Sequence, residues 1–149
     1  MANEYAAAAD VLATLGTDLL DDLAKDSDTV GATDHTLALV EQCSRIVDGY
    51  VGSRYVVPLT AAAAVATVRP HVVNMARWML LERRFSGRYD TEGARWLYEQ
   101  SLAWLRDVRD GKADVTGATL KGDSAATSAG TTSWTSNTVM YPVGYSRGF

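Results

Sequence analysis

Apolar side chains recur at three- and four-residue spacing through about the first 110 of the 149 residues, and then the pattern stops. A period near 3.6 sustained over that length points to an all-α fold, a bundle of about five helices. Asn3 is placed to N-cap a helix over residues 4–15, with Tyr5, Val11, Leu12 and Leu15 on its apolar side and Gly16 as C′ residue. Thr17 caps a short second helix over 18–25, whose early acids suit the positive end of the dipole. After a polar loop, a third helix runs from Thr33 or Asp34 to Arg54. Leu37, Val40, Cys43, Ile46, Val47, Tyr50 and Val51 form its stripe.

Residues 55–59 read as extended, because the residue before Pro58 is pushed out of the helical region. Pro70 is a good N1 residue, so the fourth helix is expected over 70–85, with Val72, Val73, Met75, Ala76, Met79 and Leu80 on a wide buried face. That face makes it the central helix. The alanine-rich residues 61–68 are left open as a separate turn of helix. Thr91 supplies half a capping box to a fifth helix over 92–109, with Leu97, Tyr98, Leu102, Leu105 and Val108 inward. Asp110 and Gly111 end it.

From Ala113 onward 22 of 37 residues are Ala, Gly, Ser or Thr. The chain therefore divides into a helical body, 1–112, and an extended arm, 113–149. Such a composition ordinarily means a loose tail. Yet Trp134, Tyr141, Tyr145 and Phe149 crowd the last 16 residues, an unusual load for a simple linker. The arm holds too few large apolar side chains to offset the entropy of ordering its backbone, so it cannot be an independent domain. It can order on the body, on a neighbouring subunit or on another protein. Trp134, Val139, Met140, Tyr141, Tyr145 and Phe149 are its candidate docking residues, and Val139-Met-Tyr-Pro-Val-Gly-Tyr suits strand pairing or a groove.

The formal charge of −4 is unevenly distributed: −8 over 1–41, +3 over 42–110 and +1 over 111–149. An acidic face and an arginine-rich face follow if the fold gathers these segments; ordinary solvated helix surface accounts for them equally well. A pI near 5.0 argues against coating nucleic acid by bulk charge. One cysteine excludes an intrachain disulfide, and with His35 and His71 it cannot complete a structural zinc set. Cys43 reads as a core residue, and each histidine as a capping or surface group. The start lacks a basic n-region, and no apolar run approaches the ~20 residues that span a bilayer. A soluble protein made in a reducing cytoplasm, without membrane contact, is expected.

No phosphate loop, nucleophile elbow or zinc-protease motif is present. Asp21 and Asp22 are adjacent on a helix, so their side chains diverge by about 100° and form no acid–base dyad. No catalytic residue, cofactor or metal site is expected. Arg83, Arg84 and Arg88 cluster at the end of the fourth helix, and Arg95, Arg106 and Arg109 line the fifth. Interleaved acids favour a salt-bridged surface or a subunit interface, with Arg83, Arg84 and Arg88 as the interface candidates. The alternative is a small helical DNA-binding regulator that uses the arginines of these two helices.

Several stretches in order resemble the head–tail adaptor (connector) proteins of tailed bacteriophages, in particular the Mu-like prophage type. They are Tyr5-Ala with Asp10-Val-Leu, Gly16-Thr-Asp-Leu-Leu-Asp-Asp-Leu and Cys43-Ser-Arg-Ile-Val-Asp-Gly-Tyr-Val-Gly-Ser-Arg-Tyr-Val-Val-Pro-Leu. Ala76-Arg-Trp-Met-Leu-Leu-Glu-Arg-Arg and Tyr98-Glu-Gln-Ser-Leu-Ala-Trp-Leu-Arg-Asp-Val-Arg-Asp-Gly-Lys complete the set, which covers about residues 5–115. The most specific element is the helix end carrying Asp48-Gly-Tyr and Arg54-Tyr, followed by the Pro58-Leu link. The resemblance implies a non-enzymatic virion protein of the neck, assembled in the host cytoplasm. It implies a homo-oligomeric ring, commonly of twelve, docked on the portal protein after packaging and offering a platform to a stopper or tail-completion protein. Genomic DNA would pass through without sequence-specific binding, with Asp21, Asp22 and Asp26 as channel-facing candidates. An arm that reaches the portal or adjoining subunits fits the same family.

Overall fold

The computed structural model describes residues 4–16, 19, 32–85 and 91–122. Among them are four helices: α1 (Ala8–Leu12), α2 (Ala32–Val51), α3 (Ala62–Phe85) and α4 (Glu92–Asp110). Of the expected helix over 18–25 only Leu19, itself helical, is among the described residues, and the class is all-α. At 24 residues, α3 is the longest helix and touches the other three, so the expected central helix is central.

The first helix is shorter than its periodicity implied. Ala7, in an extended conformation, is the N-cap, and the Asp10 carboxylate accepts the Ala7 N–H at 2.9 Å. Residues 4–6 are not helical, although Tyr5 and Ala6 are buried. The reason is tertiary: Tyr5 donates its N–H to Ser44 Oγ on α2 at 3.3 Å and so leaves the helical path. Beyond Leu12 the turn tightens, with Thr14 N–H to Val11 O at 3.0 Å and Leu15 N–H to Leu12 O at 3.1 Å. Gly16 does not take the left-handed conformation expected of a C′ residue; Gly111, Gly117 and Gly122 do.

The fourth predicted helix begins eight residues earlier than expected, and Pro70 lies inside it rather than at N1. Ala64, Val68, Val72, Met75, Ala76 and Leu80 make one continuous buried stripe across the proline. Pro70 itself is exposed, so its ring faces solvent while the stripe keeps the helix on the core. Burial on one side outweighs the lost N–H bond on the other. In α4, Thr91 occupies the N-cap without a side-chain cap bond, so the half capping box is not made.

The main core joins Val40, Cys43, Val47 and Val51 of α2 with the α3 stripe from Ala64 to Ala76, Leu105 and Val108 of α4, and Tyr5 and Val11. A second, smaller cluster of Leu15, Leu80, Leu81 and Ala94 sits at the other end of α3. After α4 the chain does not leave the body. Val115 is buried in the main core, and residues 119–121 lie antiparallel to 54–56 through a single bridge, Tyr55 to Leu120. The first ten residues of the predicted arm are thus a strap across the end of the bundle.

Candidate functional site

The polar groups concentrate where the strap crosses the C-terminal end of α2. This place is built by the segment Asp48 to Leu59, which leaves the helix at Val51 and turns through the cis Val57–Pro58 bond into α3. Two tyrosines and one arginine organise it.

Tyr5 reaches in from the N-terminal side. Its hydroxyl donates to Asp48 Oδ1 and accepts the buried Leu59 N–H at 2.9 Å. One phenol therefore joins the N-terminal segment, α2 and the link to α3. Burial, then the bond to the Asp48 carboxylate, pushes its pKa well above the usual phenol range. Tyr55 performs the matching task for the strap. Its hydroxyl donates to Asp114 Oδ1 at 3.0 Å and accepts the Val115 N–H at 3.2 Å.

Arg54 closes the junction. Its Nη1 lies 3.2 Å from the Val108 carbonyl, 3.2 Å from the Ala113 carbonyl and 3.3 Å from Asp114 Oδ1. The Val108 carbonyl, which also accepts the Gly111 N–H at 3.2 Å, lies in the last turn of α4, where the negative end of the dipole favours a guanidinium. Its Cζ also stands 5.4 Å from the centroid of the Tyr55 ring. Gly111, with φ of 80°, turns the chain under this guanidinium. Gly117, with φ of 78°, lets the strap pass over the start of α3, where a Cβ would lie 2.9 Å from that of Ala63. Val56 N–H to Thr119 O and Lys121 N–H to Arg54 O, both 2.8 Å, pin the far end. The Lys121 ammonium donates to the Gly52 carbonyl.

The arrangement is one of attachment, strap to body. Its donors and acceptors satisfy one another, and among the described residues no group of three potential metal ligands converges. Cys43 is buried beside Met79, Sγ to Sδ 3.7 Å, and burial pushes its thiol up to about 12. His71 is not the capping or surface group expected. It lies within α3, stacked on Trp104 at 4.1 Å and 7°, and burial lowers its pKa. His35 stands in the first turn of α2, its Nδ1 2.8 Å from the Arg83 guanidinium. No described helix is long and apolar enough to cross a membrane.

Arg83 is the one predicted interface arginine whose side chain is described; it is exposed and engaged with His35. The side chain of Arg84 and the whole of Arg88 lie outside the described residues. So do Asp21, Asp22 and Asp26, and Trp134, Val139, Met140, Tyr141, Tyr145 and Phe149. On α4, Arg95 pairs with Glu99 at 3.0 Å and Arg109 with Asp110 at 2.9 Å, as the interleaved acids implied. The junction residues themselves were absent from the sequence-based candidates. Tyr5 reads as apolar in a periodicity, and nothing local distinguishes Asp114. The usable signal was the Asp48-Gly-Tyr and Arg54-Tyr segment, whose dense polar residues interrupt an apolar stripe.

A family model described as Bacteriophage Mu, Gp36 matches residues 5–133. Gene product J of Escherichia phage Mu is 30% identical over 112 residues, which cover 74% of this chain and 74% of that protein.

Proposed function

Because the chain belongs to the bacteriophage Mu Gp36 family, we propose that it is a structural protein of the virion neck, a head–tail adaptor without enzymatic activity. In this reading copies form a ring, of about twelve as the resemblance implies, under the portal protein after packaging. The ring extends the DNA channel and presents a platform to a stopper or tail-completion protein. The observation that carries the reading is the junction. Arg54, Tyr55 and Lys121 fasten residues 113–122 to the body, so the aromatic-bearing residues that follow start from a fixed point. An arm that must find a partner benefits from such an anchor, because each residue held beforehand is one fewer to order on binding.

Asp21, Asp22 and Asp26 are proposed to face the channel, where like charge keeps DNA from sticking. Neutralising all three is expected to slow DNA movement through the neck; unchanged DNA retention and ejection would refute that placement. The arm is tested by removing residues 124–149. Truncated protein is expected to keep its helical circular dichroism and to lose attachment to portal-bearing heads. Attachment at the full-length level would sink the arm's role. The DNA-binding alternative is disfavoured by the pairing of Arg95 and Arg109 with carboxylates. Salt-sensitive binding of duplex DNA by the isolated protein would restore it.

A further inference from the structure

The largest apolar side chain left exposed among the described residues is Trp96, at 59%. It stands on an open groove of about 410 Å³ between α3 and the first turns of α4. Leu81 and Ala94, both buried, line the groove with Leu19, Leu97 and Arg77. Arg77 is the one charged residue in that lining, and Arg95 and Glu99 beside it on α4 pair with each other. An exposed indole continuous with aliphatic surface marks a place that takes a further apolar side chain.

The chain itself supplies such a side chain at a fitting distance. The strap ends at Gly122, and 27 residues follow it in the sequence. Residues 123–133 are Asp, Ser, Ala, Thr and Gly only, so the first large side chain beyond the strap is Trp134. Between 123 and 149 only Asp123 and Arg147 are charged, which suits a lining that is almost uncharged. The strap's anchoring sets the gap to be crossed. Lys121 N–H is bonded to the Arg54 carbonyl, and the Arg54 guanidinium to the Val108 carbonyl. Trp96 lies about 18 Å before Val108 along α4, which with the width of the junction puts it within about 30 Å of Gly122. The stretch from Gly122 to Trp134 reaches about 40 Å when extended, so it spans the gap with slack. Tyr141 and the aromatics after it reach too, but effective concentration falls with tether length and favours the first.

From this we infer that Trp134 seats in the Trp96 groove of its own chain while the subunit is free. The tether holds Trp134 near the groove at an effective concentration on the order of 1 mM, which no second copy matches in dilute solution. The contact is a single side chain, so a partner that offers Trp134 a larger apolar site displaces it. The groove is thus a holding site, which keeps the arm off other copies until such a partner is met. The inference goes beyond the adaptor reading and stands without it, because it concerns one subunit alone.

The test uses the full chain carrying Gly93→Cys and Ser133→Cys, which leaves both tryptophans in place. Gly93 is exposed in the groove lining, a Cβ there meets nothing within 4 Å, and Cys43 is buried. At micromolar protein a short thiol–thiol cross-linker is expected to join 93 to 133 within one chain, at a rate independent of protein concentration. Trp134→Ser or Trp96→Ser in the same background should slow that link at least about tenfold, with the helical circular dichroism unchanged. Equal rates with and without Trp134 would show a tether that meets the groove by collision alone and would overturn the inference. So would the absence of any link. A 93–133 product between two chains, growing with concentration, would give the groove to a second copy and overturn it as well. Hydroxyl-radical footprinting of the chain without added cysteines guards against a reporter that distorts the site. Oxidation of Trp96 should rise at least about threefold in Trp134→Ser, as the covered fraction is released, and an unchanged rate counts against the contact.

Discussion

The hydroxyl of Tyr5 serves an acceptor on one side and a donor on the other. Tyr5→Phe keeps the ring and leaves the Leu59 N–H buried without a partner. A cost of about 1–3 kcal/mol is expected, read from urea unfolding. The raised pKa adds a pH signature. Its contribution is fully present below 10.0, the ordinary phenol value, and is lost as pH rises beyond it, because the unfolded chain then releases a proton that the folded chain retains. The parent should therefore lose stability above pH 10.0, and the Tyr5→Phe variant should show a shallower fall. His71 acts at the other end of the scale. Burial lowers its pKa, so its contribution is present above 6.5 and is lost as pH falls toward the folded value. His71→Phe keeps a ring against Trp104 and should flatten the decline of melting temperature below pH 6.5.

At the scale of elements, Pro70 marks where a local rule and a global one disagree. Local stereochemistry places a proline at the start of a helix, and the expected start at residue 70 followed from that. The helix instead begins at Ala62, because the stripe from Ala64 to Leu80 must stay continuous to cover α2 and α4. The N–H that Pro70 lacks would have bonded to the Ala66 carbonyl. Pro70→Ala restores that bond at an exposed position where no packing is lost. It should raise stability by about 1–3 kcal/mol, seen as a higher melting temperature. The long helices were legible because their stripes are long. The end of α1 was not, because Tyr5 follows bonds to Ser44 and Asp48 that no local pattern contains.

For the whole molecule, the boundary between body and arm acquires internal structure. The composition breaks near residue 113, yet Val115 is buried and Leu120 bridges to Tyr55. Truncation after Gly122 should leave the unfolding free energy near that of the parent. Truncation after Lys112 removes Val115 from the core and should lower it by at least about 2 kcal/mol. Equal stability of the two in denaturant titrations would show that the strap contributes nothing. Sequence by itself determined the helical class, the central place of the helix around residues 72–80 and the acid–arginine pairing on α4. Each depends on periodicity or spacing within one segment, which is local information. Only the tertiary structure decided that Tyr5 meets Ser44 and Asp48, that Arg54 and Tyr55 meet Asp114, and that the arm begins as a strap. Those depend on contacts between residues about 40 to 60 positions or more apart, and such contacts exist only once the helices have packed.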